Sequence, residues 1–220
     1  MRLLIYTANL GSFDKNQEHV EQELPEGIDF IEYHRWTDSD FLPRFNAMTP
    51  RLQARIVKMF GWQMKPDFDY YLWVDSSCRL PKEDCAKWFM GQLGDADMAV
   101  FKHNKRQTVG EEAEYLRERL QLEKSGKKKP YVLPRYENED LDGQMEVADP
   151  QAQLYATTAF IYRDNQQIRD LMTTWWIHTS RYHSIDQLSL PTAIKHSGAN
   201  VNVIDEDYLK CQHLQYTRTQ

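Results

Sequence analysis

A chain of 220 residues with 41% apolar and 27% charged residues has the make-up of one ordinary domain, able to bury about 70% of its unfolded surface. Its net charge of −6 argues against general nucleic-acid binding, which calls for a basic surplus. The three cysteines, Cys78, Cys85 and Cys211, are odd in number and lack C-x-x-C spacing, which speaks for reduced thiols against a disulfide frame or a zinc site.

In chain order, residues 3–7 form a short apolar run, read as a buried first strand that enters the loop Ala8-Asn9-Leu10-Gly11. The run is too short for a signal peptide, and no stretch approaches the ~18 apolar residues of a membrane span, so a cytoplasmic protein is expected. Residues 16–24 suit a short polar helix, and residues 28–33 a second strand behind Gly27. Thr49-Pro50 opens a helix, Thr as N-cap and Pro at the first helical position. Leu52, Ile56 and Met59 form its apolar stripe, with Arg51, Arg55 and Lys58 on an adjacent one. Residues 69–75 are the strongest strand, aromatic and apolar, ending at Asp75. A helix over 82–92 and a strand over 98–101 follow, and then Lys102-His103-Asn104-Lys105-Arg106.

Residues 110–123 read as a charged helix ended by Gly126, and residues 127–150 as a long surface loop. A strand over 157–162 precedes a helix over 165–180 that carries Trp175-Trp176. Ser184-Ile185-Asp186-Gln187 fits the capping box of another helix running to about His196. A last strand over 201–204 leads into a tail. Strands alternating with helices predict a single α/β domain with a mostly parallel sheet flanked by helices. A nucleotide-binding part is expected at about 1–104 and an acceptor part at about 105–220.

Walker, Gly-x-Gly-x-x-Gly, Gly-x-Ser-x-Gly and His-Glu-x-x-His motifs are absent, so common kinase, dehydrogenase, hydrolase and metalloprotease readings lose support. Asp75-Ser76-Ser77 stands where open α/β sheets bind ligands. Asp75 is either a hard oxygen ligand for Mg²⁺ or Mn²⁺ or the start of a turn. Arg51, Arg55 and Lys58 have no acidic residue three or four positions away on their helix. They are either a solvated face or a cradle for an anion such as a diphosphate. Asp186 is either a residue of the first helical turn or a base facing an acceptor. His103 and His213 are either structural or ligands to metal or phosphate. Glu111 and Glu112 suit the positive end of their helix. Trp175 and Trp176 fit a core, or one of them a sugar-stacking surface.

Taken in order, these pieces resemble GT-A glycosyltransferases. Residues 6–14, Tyr6-Thr7-Ala8-Asn9-Leu10-Gly11-Ser12-Phe13-Asp14, look like the first nucleotide-binding strand and loop. Arg51, Arg55 and Lys58 look like the helix that contacts base and diphosphate, and Trp73-Val74-Asp75-Ser76-Ser77 sits where the Asp-x-Asp motif belongs. Phe101 to Arg106, Glu111-Glu112-Ala113, Trp175-Trp176 and Asp186-Gln187-Leu188-Ser189 are similar to a family of glycosyltransferase-like domains. That family is found in bacteria and, behind a membrane anchor, in plant cell-wall proteins.

The resemblance implies a GT-A-like fold and sugar transfer from a UDP- or GDP-linked donor to a glycan or other hydroxyl acceptor, in a bacterial or phage setting. It implies donor binding by Thr7, Ala8, Asn9, Gly11, Arg51, Arg55, Lys58, Asp75, Ser76, Ser77, His103 and Arg106. It gives catalytic roles to Asp186 and Glu112, and a manganese or magnesium ion to Asp75 and His213. Ser77 departs from the Asp-x-Asp pattern, which leaves a non-catalytic nucleotide-sugar- or carbohydrate-binding protein as the alternative. A glycosyltransferase acting on modified DNA, with Lys127, Lys128 and Lys129 on phosphates, is the other. A sugar nucleotidyltransferase would want a Gly-rich N-terminal loop.

Overall fold

The computed structural model describes residues 1–11, 14, 18–41, 48–127 and 140–217. Ser12 and Phe13 of the opening motif, residues 16 and 17 of the expected first helix, Lys128 and Lys129, and residues 218–220 of the tail lie outside the described residues.

The strands are β1 (Arg2–Asn9), β2 (Phe30–Thr37), β3 (Tyr70–Val74), β4 (Cys78–Arg79), β5 (Met98–Lys102), β6 (Tyr155–Arg163), β7 (Val201–Ile204) and β8 (Gln215–Tyr216). The helices are α1 (Pro50–Met64), α2 (Cys85–Leu93), α3 (Val109–Lys124), α4 (Leu141–Val147), α5 (Gln166–Arg181) and α6 (Leu190–Ser197). Six strands form one sheet in the order β2-β1-β3-β6-β5-β7, and β4 pairs with β8 in a separate ribbon. Five strands of the large sheet run parallel, and β6 alone runs against them. The molecule is therefore the single, mostly parallel α/β domain the sequence predicts.

Period-two alternation builds a core on each face of the sheet. Leu4, Tyr6, Tyr71, Trp73, Val100 and Phe160 point to one face, where they meet Val57 of α1, Leu171 and Trp175 of α5 and Leu190 of α6. Leu3, Ile5, Leu72, Val74, Phe101 and Ile161 point to the other, against Phe89 of α2 and Leu214 of the tail. The side chain of Thr49 accepts from the Leu52 backbone N–H, and Pro50 follows, so α1 begins as its residues dictate.

Several expectations are corrected. Residues 18–24 hold no helix. The Gln22 side chain bonds the carbonyls of Val20 and Lys82 and the Ala86 N–H, pinning the segment in extended form beside residues 80–86. The second strand runs further, over Phe30–Thr37, because it pairs with the whole length of β1. The expected 127–150 loop contains α4, capped by Asp140, and the tail contains β8. On α1, Leu52 and Ile56 are only half-buried, while Val57, Lys58 and Met59 are buried, so the inward face is rotated from the expected one.

The Ser184–Gln187 capping box does not form. Residues Asp186–Leu188 make a short 3-10 turn with Ile185 at its N-cap, and no side chain caps it. The reason is tertiary: the Asp186 side chain is turned into the protein, toward α1.

Candidate functional site

The carboxyl ends of β1, β3 and β5 and the amino end of β6 lie along one edge of the sheet. Open α/β sheets bind ligands at this edge, where strand order reverses about the first strand. Val74 pairs with Ala159, and the Asp75 N–H continues the ladder to the Thr158 carbonyl at 2.8 Å. On the other side of β6 the register breaks: Val100 pairs with Phe160, but Phe101 pairs with Ala156. This irregularity frees Thr157 to aim its hydroxyl at Asp186 Oδ2, 3.0 Å away.

The centre of the edge is a buried charge cluster. Lys58 is fully buried, with Nζ 2.8 Å from Asp186 Oδ2 and 3.5 Å from Asp75 Oδ1. Arg55 Nη2 lies 3.1 Å from Asp186 Oδ1. Lys58 Nζ also faces the rings of Trp73, Phe160 and Trp175 at 5.4, 5.7 and 5.9 Å. The electron-rich faces of the rings compensate part of the water that the ammonium has lost. Arg55 and Lys58, which lack an acidic partner on their own helix, thus find theirs in tertiary contact, in Asp186 and, for Lys58, also in Asp75.

Burial alone would raise the Asp186 carboxyl, but Arg55 and Lys58, with Arg51 behind them, pull it down to about 2. Burial lowers Lys58 from its usual range, against the pull of Asp186 and Asp75. A carboxylate held so low, with both oxygens occupied, is a poor proton acceptor at neutral pH. Asp186 therefore orients the two cations, and the acceptor-facing base expected there is not what this geometry favours. Trp175 donates Nε1–H to the Asp186 carbonyl at 2.7 Å and is fully buried, which settles it in the core.

Beside the cluster, Asp75 Oδ1 accepts from Trp73 Nε1 at 2.7 Å. The Ser76 hydroxyl donates to Asp14 Oδ2 at 2.6 Å, and the Ser77 carbonyl accepts from the Thr217 N–H and hydroxyl, each at 2.8 Å. Asn9 Nδ2 donates to the Asp14 carbonyl at 2.8 Å. Gly11, at φ +73°, presents its N–H to the Asp38 carboxylate. Ala8 is part of the core.

A cavity of about 490 Å³ opens beside β1 and β2, lined by Thr7 with Glu18, His19, Glu21, His34 and Arg35. The Thr7 hydroxyl is buried and has no hydrogen-bond partner among the described residues. A second cavity, of about 160 Å³, lies beyond β5. His103, Arg106 and Glu112 line it, together with Gln187, the neighbour of Asp186. Glu112 is buried and ion-paired to Arg106, and burial raises its carboxyl above the usual range.

His213 stacks on Trp88 at 4.8 Å, with Nε2 3.7 Å from Asp84. Among the described residues no three His, Cys, Asp or Glu side chains gather as a metal-binding group. Of the expected site residues, the fold brings Arg55, Lys58, Asp75 and Asp186 together, and His103, Arg106 and Glu112 together. Thr7 stands in a separate cavity. Thr157, Asp14 and Arg35 were not singled out by sequence; only the carboxylate of Asp14, in the opening motif, carried a signal that could have found it.

The fold is thus a mostly parallel α/β domain with a buried charge cluster at the carboxyl edge of its sheet and cavities beside β1 and beyond β5. Residues 44–218 match the model of the TOD1/MUCI70 glycosyltransferase-like domain, and the chain belongs to that family. A search of curated proteins found no match. Among solved structures, the chain is similar to a glycosyltransferase involved in the glycosylation of the major capsid of PBCV-1. The identity is 9%, the coverage 92% of this chain and 81% of that one, and the TM-score 0.42. It is also similar to a CMP:2-keto-3-deoxy-manno-octonic acid synthetase complexed with CTP, at 12% identity, 94% and 90% coverage and a TM-score of 0.41. Likenesses this distant carry no argument about chemistry. No helix among the described residues is long and apolar enough to cross a membrane.

Proposed function

We propose that this chain transfers a sugar from a nucleoside-diphosphate sugar to a hydroxyl acceptor. The observation that carries the reading is Thr7, whose hydroxyl is buried without a partner among the described residues and which lines a 490 Å³ cavity beside β1 and β2. That volume lies within the range of about 300–1,000 Å³ usual for small-molecule pockets. An unpaired buried hydroxyl there calls for a polar partner, such as a nucleoside base or ribose. Membership of a glycosyltransferase-like family supports the same reading.

In this proposal the leaving diphosphate sits toward Asp75 and the α1 cations. Arg55 and Lys58, held in place by Asp186 and Asp75, are the cations that would face the arriving anion. Charge developing on the leaving group would be stabilised by groups already fixed in place. A divalent cation fits the residues present: Asp75 and Asp14 offer hard oxygens on either side of Ser76. Magnesium is commonly held by one or two carboxylates together with substrate phosphates, so a three-ligand protein cluster is not required. When bound it would supply further positive charge to the diphosphate. Glu112, raised by burial and lining the second cavity, is the better candidate for removing the acceptor proton.

Calorimetry with UDP and GDP, with and without Mn²⁺, tests the reading. One of the two should bind, and Thr7→Val, which removes the hydroxyl and keeps the shape, should weaken it about three- to tenfold. Absence of binding by both nucleotides with metal supplied would sink it.

A further inference from the structure

Three consecutive residues, His103, Asn104 and the exposed Lys105, line the 160 Å³ cavity beyond β5. His103 Nδ1 accepts the backbone N–H groups of Lys105 at 3.2 Å and Arg106 at 3.0 Å. Burial, then Arg106, lowers this imidazole to about 4, so it is neutral at pH 7 and its proton sits on Nε2. That Nε2–H has no partner among the described residues.

Asn104 donates Nδ2 to Asp207 Oδ1 at 2.8 Å. A carboxylate only accepts, so the amide cannot be turned round, and its Oδ1 is left buried with no hydrogen-bond partner among the described residues. Lys105 has no carboxylate partner among the described residues, whereas the nearby cations are matched, Arg106 by Glu112 and Arg119 by Glu123. Tyr115 and Tyr208 complete the wall.

A ligand satisfying these groups must offer an acceptor to His103, a hydroxyl proton to Asn104 and negative charge to Lys105. Water can solvate each group singly, whereas one ligand that meets all three combines hydroxyls with negative charge. The volume suits one sugar ring and is too small for a nucleotide, which the larger cavity accommodates. We propose that this cavity holds an acidic sugar residue of the acceptor, read by His103, Asn104 and Lys105. The assignment rests on the transfer reading above, and it places the acceptor next to Glu112. A carboxylate and a phosphate ester are the two forms that carry the required charge and hydroxyls together.

Glucuronate, glucose 6-phosphate and glucose titrated into the protein test this, with binding followed by calorimetry and UDP titrated in parallel. At least one acidic sugar should bind tenfold or more tightly than glucose. Lys105→Gln should remove about tenfold of that affinity, and Lys105→Arg should restore it. A preference for glucuronate marks a uronic acid, and the reverse a phosphorylated sugar. Glucose binding as tightly as both anions, or Lys105→Gln leaving them unaffected, overturns the proposal. So does Lys105→Gln weakening UDP and not the acidic sugars, which would give the cavity to the donor. UDP failing while the acidic sugars bind through Lys105 would instead reject the transfer reading and leave the acidic-sugar pocket standing.

Discussion

Lys58 is where sequence and structure differ most in consequence. Read on its helix it is a surface cation beside an apolar stripe, cheap to remove. In the fold it is fully buried between Asp186, Asp75 and three aromatic rings. Removing one partner of such a pair strands the other in a medium that cannot solvate it, at a cost of about 3–5 kcal/mol. Lys58→Ala and Asp186→Asn should each destabilise by that order, read from urea unfolding at pH 7. Losses under about 1 kcal/mol in both would mean that the cluster is open to water. Its partner Asp186 sets the acid limb of stability. The folded carboxyl of Asp186 lies near 2, against 3.8 unperturbed. Its contribution is therefore complete above about pH 4 and lost as pH falls toward 2, a change that Asp186→Asn should flatten. His103 acts in a higher window. Its folded value near 4 lies below 6.5, so the unfolded chain takes up the proton first and stability falls as pH drops from about 6.5 to about 4. His103→Asn keeps an acceptor for the two backbone N–H groups and should remove part of that slope in a pH series of urea midpoints.

Helix α1 carries the cations, and its path depends on how close it lies to β1. Phe60 leaves helical geometry at φ −117° and ψ 22°, and the Tyr6 hydroxyl reaches the Lys58 carbonyl at 2.8 Å. Gly61 makes this approach possible: a β-carbon there would stand 2.5 Å from Tyr6 Cε2. Alanine gains about 1 kcal/mol of helix propensity over glycine, whereas overpacking a tight core typically costs about 1–3 kcal/mol. The Tyr6 ring is itself fixed between Trp36, Tyr71 and Trp73, so it has little room to give way. The clash should win, and Gly61→Ala should lower stability and, by shifting Lys58, weaken nucleotide binding as well. A variant as stable as the parent would show that α1 can slide. The start of α1 was legible because Thr49 and Pro50 act locally. The Ser184 box was misread because a capping pattern is also local: Lys58 and Arg55 hold Asp186 inward, and the turn there starts one residue later, at Ile185, without a side-chain cap.

For the whole molecule, the proposed donor pocket predicts a thermal response. A ligand bound only to the folded state, at 100 times its dissociation constant, stabilises by about 2.7 kcal/mol. For a domain of this size that corresponds to a rise of roughly 5–10 °C in midpoint. The productive nucleoside diphosphate with Mn²⁺ should give such a rise, and Thr7→Val should reduce it at equal ligand concentration. A nucleotide panel without any shift would count against the pocket beside β1 and β2.

The alternation of strand and helix, the strands that end at Asp75 and near His103, the cap of α1 and the Gly126 stop of α3 are all set by neighbours a few residues apart. Those interactions are carried by the sequence itself, and so is the family pattern built on them. The order of the strands, the reversal of β6 and the register break that aims Thr157 at Asp186 are decided by pairings between distant segments. The same holds for the burial of Lys58 and for the division of the expected site residues between separate cavities. Whether a charge is solvated or sealed depends on what packs over it. For Lys58 and Asp186 the covering groups come from α5, β6 and the segment before α6, and only the tertiary structure brings them there.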